Sequence, residues 1–232
     1  MKPIILPRGY LSWSAMTLWE KSPARFEKEY FAGGDRLDTK YLKFGKSFAQ
    51  YVEELCDLEK ELGSREAAAQ AVVSKHGLDS KAHDIFLRLP MYETSEQEIT
   101  VDVEGVPVLS YLDSSQLNPV LFKEYKTGKH PWDRAKVQKH GQLPFYATIL
   151  HALTGTMPEY CDLVWIQTKE AEQENKEGFY SGEDRKIEFT GEMKEFRRVF
   201  QPIEVERMRK RIRKNAEEIS AAYELFRKNL DI

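Results

Sequence analysis

Three side chains around one turn have the types needed for metal or acid–base chemistry. The dipeptide Asn118-Pro119, which is typical of turns, divides the stretch LDSSQLNPVLFKEYKTGK. If a β-hairpin is symmetric about that turn, Asp113 lies directly opposite Glu124, with Cβ atoms roughly 4.5–5.5 Å apart. Lys126 lies two residues beyond Glu124 and therefore points to the same face. The spacing predicts that two carboxylates and one ammonium group converge.

Two opposed carboxylates repel each other and destabilise a sheet unless a cation offsets the repulsion. Lys126 is one such cation, and a divalent metal ion is a stronger one. Mg²⁺ and Mn²⁺ bind carboxylate oxygens and keep water, which leaves positions for a phosphate and an attacking water. An ion pair on an exposed strand face would explain the same residues without any chemistry, so the hairpin alone leaves both interpretations open.

Three further polar residues could belong to the same site. Gln142 and Tyr146 are four residues apart and share a helix face, although a surface glutamine and a core tyrosine would show the same spacing. Glu98 lies in the strand before the hairpin, where its side chain either approaches the site or faces solvent.

The elements that position these residues are read from periodicity. A capping Ser64 and a terminal Gly77 bound one helix, and Ile99, Val101 and Val103 alternate as in a strand. The patterns predict helices over 11–29, 41–62, 64–76, 79–87 and 132–153, strands over 99–103, 106–113, 120–126, 162–168 and 186–190, a turn at 104–105, a charged loop over 174–184, and mostly helix over 191–229.

This order predicts an α/β fold, a central mixed β-sheet flanked by helices. We expect a single domain over 1–232, with a core at about 92–170, a helical N-terminal part over 11–90 and a helical C-terminal part over 191–229. With 41% hydrophobic and 12% aromatic residues in 232, the chain is typical of globular proteins.

Charge and cysteine content restrict the class of protein. The net charge of −3 does not indicate a nucleic-acid binder, although Lys and Arg outnumber Glu in 194–214, which is either a solvated helix face or a phosphate-facing surface. No apolar run approaches the ~20 residues that span a bilayer, and the N-terminus lacks signal-peptide character. Cys56 and Cys161 form no CxxC pair. We therefore expect buried thiols, a cytoplasmic location and no membrane partner.

The order Asp113, then Glu124-Tyr125-Lys126, then Gln142 and Tyr146 resembles the motifs of the PD-(D/E)XK nuclease superfamily. VLFKEYKTGK followed by HGQLPFYA is the most specific part. The resemblance is closest to the RecB-like branch, which includes CRISPR spacer-acquisition nucleases and phage exonucleases. LSWSAMTLWEKSPARFEKEYF also resembles the N-terminal helix of that branch, so the similarity covers most of 11–168.

The resemblance implies a restriction-endonuclease-like core and a role for each matched residue. Asp113 and Glu124 would bind Mg²⁺ or Mn²⁺, together with the backbone carbonyl of Tyr125. Lys126 would be the catalytic lysine. Gln142 and Tyr146 would support the site and contact DNA.

Two departures from the branch stand out in the sequence. Its members usually carry a histidine metal ligand four residues after a helix-start glycine, but here Gly45 is followed by Ala49, with Gln50 adjacent and Glu53 one turn on. Iron–sulfur members carry a cysteine where this chain has Ser22, so the resemblance implies a member without an iron–sulfur cluster.

The sequence thus predicts a metal-dependent DNA nuclease of exonuclease type, in DNA repair, recombination, phage or CRISPR-related processing. Two alternatives remain open: a nuclease-fold subunit that binds DNA or a protein partner without turnover, and an interaction protein with a charged hairpin. No GxxxxGK[ST] motif is present, so a helicase or a recombination or integration partner would be a separate chain.

Overall fold

The computed structural model describes residues 3–35, 39–171 and 186–230. Five strands form one sheet in the order β1-β2-β3-β4-β5. β3 and β4 are parallel, and the other neighbouring pairs are antiparallel, so the sheet is mixed as predicted. The strands are β1 (Thr94–Val103), β2 (Val106–Leu117), β3 (Val120–Gly128), β4 (Tyr160–Glu170) and β5 (Ile187–Val199).

Helices flank the sheet, and several of their ends follow from local sequence. Ser12 and Ser64 accept backbone N–H groups as N-caps, and Gly77 ends its helix with a positive φ of 59°. The helices are α1 (Trp13–Lys21), α2 (Pro23–Phe26), a π-helical turn (Glu27–Phe31), α3 (Lys40–Leu62), α4 (Arg65–His76), α5 (Ser80–Arg88), α6 (Arg134–Gln138), α7 (Gln142–Thr154) and α8 (Pro202–Asn229).

Each face of the sheet carries its own hydrophobic cluster. The first cluster joins the sheet to α1, α7 and α8, and the second joins it to α3, α4 and α5. The central strands contribute to both clusters because their side chains alternate. Phe122 and Trp165 lie in the first cluster, whereas Tyr125 and Val164 lie in the second. The sheet is therefore buried on both faces, and a polar side chain within it needs a specific partner.

Both hairpin predictions are confirmed. Glu104 and Gly105 form the two-residue turn between β1 and β2 with φ of 54° and 81°, as a tight β-hairpin requires. The β2–β3 hairpin pairs Leu117 with Val120 and Ser114 with Lys123, which is the register expected from symmetry about Asn118-Pro119.

The prediction of helix over 191–229 is wrong at its beginning, because β5 runs to Val199 and α8 starts only at Pro202. The Glu, Lys, Met and Arg residues of this segment favour helix, but pairing with β4 outweighs that preference. The helix predicted over 132–153 is also divided, into α6 and α7. The charged loop predicted over 174–184 lies outside the described residues.

Cys56 and Cys161 are free and buried, as expected. Within the described ranges, no helix combines the length and the apolar composition that crossing a membrane requires.

Candidate functional site

The strands β2 and β3 stop pairing at Asp113. Their ladder ends with Ser114 and Lys123, and the next contact is made by a side chain: Asp113 Oδ2 accepts the backbone N–H of Tyr125 at 2.6 Å. Beyond this point β3 still pairs with β4. Burial, and then the charge of Glu124, raises the pKa of Asp113 well above its usual value. The carboxylate of Asp113 thus takes the place of a ladder carbonyl at the point where β2 and β3 separate inside the sheet.

Glu124 is a buried carboxylate with one oxygen bonded and one oxygen free. Its residue is 1% exposed, and Oε1 forms an ion pair with Lys126 Nζ. Oε2 has no hydrogen-bond partner among the described residues. A buried polar atom without a partner costs about 1–3 kcal/mol, and such an atom in a native structure often marks a bound ion or a reactive group. Glu124 therefore presents an oxygen that a cation could satisfy.

Lys126 links the carboxylates to α7. Its Nζ donates to Gln142 Oε1 at 2.9 Å, and Gln142 Nε2 donates to the Tyr146 hydroxyl at 2.6 Å. Burial alone would lower the pKa of Lys126, but Glu124 and Asp113 outweigh burial and raise it. The ammonium therefore keeps its protons at neutral pH. The structure places Glu124, Lys126, Gln142 and Tyr146 in one hydrogen-bonded chain.

A close contact between α1 and α7 sets the position of Gln142. Gly141 precedes α7, and a Cβ at this residue would lie 2.7 Å from the Trp13 ring. Only glycine allows this approach, because Trp13 is also packed against Phe145. Pro144 lies in the first turn of α7, where a missing N–H leaves no helical hydrogen bond unmade.

The expected carboxylate from β1, Glu98, lies outside this chain of contacts. Glu98 is exposed and accepts a hydrogen bond from the Tyr111 hydroxyl at 2.6 Å. Glu96 is the β1 carboxylate near Glu124: burial, then Glu53, then Glu124 raise its pKa to about 7. Glu96 has a φ of 47°, which interrupts the alternation of side chains along β1. Glu96 was not among the predicted site residues, because no sequence signal marks a positive φ at a glutamate.

His140 is a second residue that sequence analysis missed. Burial, and then the charge of Lys126, lowers the pKa of His140 to about 4, and its side chain reaches Gln142. The imidazole is therefore neutral at pH 7. It contacts Gln142, the residue that accepts a hydrogen bond from Lys126. Its position directly before Gly141 and Gln142 was the available signal.

The number of possible metal ligands is small. Within the described ranges, no group of three or more His, Cys, Asp and Glu side chains is arranged to hold a metal ion. A site at this hairpin would rest on two carboxylates, Asp113 and Glu124, and on backbone oxygen such as that of Tyr125. The Tyr125 side chain itself turns away, and its hydroxyl donates to the Pro90 carbonyl at 2.8 Å.

The nuclease branch that the sequence resembles usually carries a metal-binding histidine at the position where this chain has Ala49. Ala49 is half-buried on α3, next to Phe48, whose ring lies 6.1 Å from the Tyr125 ring. One turn further on, the charge of Glu53 acts on Glu96. This side of α3 thus approaches the second face of the hairpin.

The basic residues of 194–214 are largely engaged in ion pairs. Arg198 is 3% exposed and donates to Glu204 and to the carbonyls of Val137 and His140. The further pairs join Arg197 to Asp162, Lys210 to Glu206, Arg211 to Glu20, Arg213 to Glu217 and Lys214 to Glu218. These pairs favour the solvated-face interpretation of the segment over a phosphate-facing surface.

The fold is similar to that of a solved structure named as a "putative exonuclease" from Eubacterium rectale. The TM-score is 0.51 at 12% sequence identity, and the similarity covers 91% of this chain and 83% of that chain. At this identity the likeness shows the fold alone. No protein-family model and no curated protein matches the sequence. The predicted α/β fold is therefore confirmed and is shared with that structure, whereas the RecB-like branch stays a prediction.

Proposed function

We propose that this protein is a metal-dependent nuclease that hydrolyses phosphodiester bonds in DNA. The observation that carries the proposal is the convergence of Asp113, Glu124, Lys126 and Gln142 at the point where β2 and β3 separate. The nuclease-like fold supports it independently. Its partner is DNA, and a helicase or a recombination or integration protein would act as a separate chain.

The residues present fit a hard divalent cation. The free Oε2 of Glu124 and the carboxylate of Asp113 are the oxygen donors that Mg²⁺ and Mn²⁺ prefer, with the Tyr125 carbonyl as a third. Mg²⁺ commonly uses one or two carboxylates and keeps several waters, so a small protein ligand set is adequate. When bound, the cation would supply an activated water and neutralise charge on the phosphate.

Lys126 acts in this proposal as a cation and a proton donor. Because Glu124 and Asp113 raise its pKa, the ammonium does not accept a proton from water at neutral pH. It can donate a hydrogen bond to a phosphate oxygen, or a proton to the leaving oxygen of the sugar. Gln142 Oε1 accepts a hydrogen bond from the ammonium, and Gln142 Nε2 donates one to the Tyr146 hydroxyl. The phenol of Tyr146 stays protonated because burial raises its pKa.

The proposal is tested by incubating the protein with labelled linear duplex, circular duplex and single-stranded DNA, with Mg²⁺, Mn²⁺ or chelator. We expect cleavage only with metal. Asp113→Asn and Glu124→Gln should each remove it, since they keep size and hydrogen bonding but lose the charge. Lys129→Ala, on the exposed residue after β3, is the matched control and should cleave normally. Full activity of either acidic-site variant would rule out this site as the centre of hydrolysis.

A nuclease-fold subunit that binds without turnover is the second candidate. Its support is Ala49 on α3 and the small side-chain ligand set. In that case DNA or a protein partner binds, Mn²⁺ calorimetry shows no binding that depends on Asp113, and no DNA is cut under any condition. Cleavage that depends on Asp113 excludes this candidate.

A further inference from the structure

A cleft of about 300 Å³ begins where the chain of contacts from Lys126 ends. Gln142 and Tyr146 form one end of its lining. Three further aromatic residues, Tyr10, Trp13 and Tyr111, line the rest. The cleft therefore continues directly from the candidate catalytic residues and is rich in aromatic surface. Its volume is at the lower end of the roughly 300–1,000 Å³ of small-molecule sites, so it has room for one small planar group.

The polar residues of the cleft differ from those of the hairpin. Among the described residues, no carboxylate lines the cleft, and Arg8 is the only charged lining residue. Arg8 is exposed at the surface, with its guanidinium 4.3 Å from the centre of the Tyr30 ring. Ser12 and Ser14 add hydroxyl groups. A guanidinium, hydroxyls and aromatic rings are the groups that contact the phosphate, sugar and base of a nucleotide.

Tyr111 is the aromatic residue best placed to receive a ligand. It is 48% exposed although it lies in the middle of β2, and its hydroxyl is anchored by Glu98 at 2.6 Å. The anchor fixes the ring at the rim of the cleft, so little side-chain entropy remains to be lost when a ligand stacks on it. The exposed ring is thus a pre-organised stacking surface.

We propose that this cleft binds one unpaired nucleobase beside the phosphate that is cleaved, so that the substrate is single-stranded DNA or a frayed duplex end. This inference rests on the proposed nuclease function. A base inside a duplex is paired and stacked on both sides, and it can enter a cleft of this size only after leaving the helix. Stacking on an aromatic ring tolerates any base, which suits a nuclease without sequence preference.

The test is fluorescence anisotropy in EDTA, so that binding is measured without cleavage. The probes are a labelled oligothymidylate, an abasic oligonucleotide of equal length and charge, and a blunt duplex. The parent protein should bind the oligothymidylate about 5- to 100-fold more tightly than the abasic strand, since stacking one base contributes about that factor. The blunt duplex should bind more weakly than the oligothymidylate.

Variants identify the residue responsible. Tyr111→Ala should bind both single strands equally, whereas Tyr111→Phe, which keeps the ring, should retain the preference for bases. Tyr41→Ala removes a tyrosine of similar exposure on α3 and is the control, expected to match the parent. Arg8→Ala should weaken binding of the two strands equally and lower the slope of log affinity against log salt by about 1. Equal affinity of the parent for both strands, or an unchanged preference in Tyr111→Ala, overturns the proposal.

The cleavage assay keeps the two proposals apart. Cleavage that depends on Asp113, together with equal binding of the two strands, removes the base cleft and leaves the nuclease. A Tyr111-dependent preference for bases in a protein that cuts no DNA removes the nuclease, and with it the placement of the base beside a scissile phosphate.

Discussion

Lys126 and Glu124 form an ion pair, but the proposed function gives them different roles, Glu124 in metal binding and Lys126 in turnover. An ammonium is a hydrogen-bond donor and not a ligand for a hard cation, and Lys126 bonds Oε1 of Glu124, whereas the proposed metal would use Oε2, so removing Lys126 removes no ligand. Lys126→Ala should therefore lower the cleavage rate by about 10²- to 10⁴-fold, the usual contribution of a proton-transfer group. Its affinity for Mn²⁺ should be equal to or higher than that of the parent.

Calorimetry with Mn²⁺ and single-turnover cleavage, both on purified Lys126→Ala, measure these two quantities. Lys129→Ala is again the control. If Lys126→Ala bound Mn²⁺ more than tenfold more weakly than the parent, Lys126 would have to support the ligands and its assigned role would be wrong.

Because the pKa of Glu96 is raised in the folded protein, the free energy of unfolding should fall as pH rises. The pKa of Glu96 is about 7 in the folded protein and 4.5 as a free group, so the folded state favours the protonated form. Its contribution to stability is fully present below pH 4.5 and is lost as pH rises through 7. Solvent screening of this partly exposed group reduces the full value of ~1.4 kcal/mol per pKa unit, so we expect a loss of about 1–2 kcal/mol.

Urea unfolding at pH 5 and pH 8 without metal tests this expectation. Glu96→Gln should show a smaller fall in the free energy of unfolding between the two pH values than the parent. Glu98→Gln, on the exposed side of the same strand, should fall as the parent does. An identical pH dependence in Glu96→Gln and the parent would show that Glu96 is not held in its protonated form.

At the scale of elements, α3 decides whether the metal site can gain a ligand. Phe48 and Val52 are buried in the second cluster, and Ala49 lies beside them. Ala49→His should tighten Mn²⁺ binding by about tenfold, because imidazole is a good ligand for transition metals. Gln50→His, one residue further round the helix, is the matched control and should give no gain.

Calorimetry on both variants measures the effect. Equal affinities in Ala49→His and the parent would mean that this face of α3 does not reach the two carboxylates. A gain in Gln50→His instead would place the neighbouring face toward the site.

The contact between α1 and α7 depends on a missing side chain. Gly141→Ala places a methyl group 2.7 Å from the Trp13 ring and should lower the free energy of unfolding by about 1–3 kcal/mol, as overpacking does. Gly45→Ala has open space around its Cβ within α3 and should raise it by about 0.5–1 kcal/mol. Chemical denaturation of both variants measures the difference. Destabilisation by both, or by neither, would contradict this account of the contact.

At the scale of the whole molecule, the two hydrophobic clusters share one sheet. Trp165 on β4 lies in the first cluster and its neighbour Val164 in the second. Unfolding of the sheet therefore disrupts both clusters together. Tryptophan fluorescence reports on the first cluster, and far-UV circular dichroism also reports on the helices of the second. We expect both signals to change at the same denaturant concentration. Separate transitions would contradict the prediction of a single domain, which no other observation tests.

The periodicity of the sequence predicted most of the architecture. Turn chemistry at Glu104-Gly105 and Asn118-Pro119, capping at Ser64 and alternation over 99–103 are local signals, and each was confirmed. The long strand β5 was not predicted over 191–199. Most of its residues there are Glu, Met, Lys or Arg, which favour helix, and its strand conformation comes from pairing with the preceding strand β4, which a local pattern over 191–199 does not contain.

Sequence alone determined which residues could do chemistry. The distances of Asp113 and Glu124 from a recognisable turn set their register, and the four-residue spacing of Gln142 and Tyr146 set their shared helix face. Register and helical periodicity are local geometry, so they follow from position along the chain. Gln142 reaches Lys126 only because Gly141 lets α7 approach α1. That contact cannot be predicted from the hairpin sequence.

Tertiary structure alone decided the environment of these groups. A positive φ at Glu96, rather than its type, turned that carboxylate toward Glu124 and left Glu98 to anchor Tyr111. The cleft beside Gln142 is lined by residues from three separated parts of the chain. Burial and the approach of distant charges depend on packing between elements, and the pKa values that make Lys126 a proton donor depend on both. Sequence therefore identifies the acids and the lysine, and packing sets their charge states.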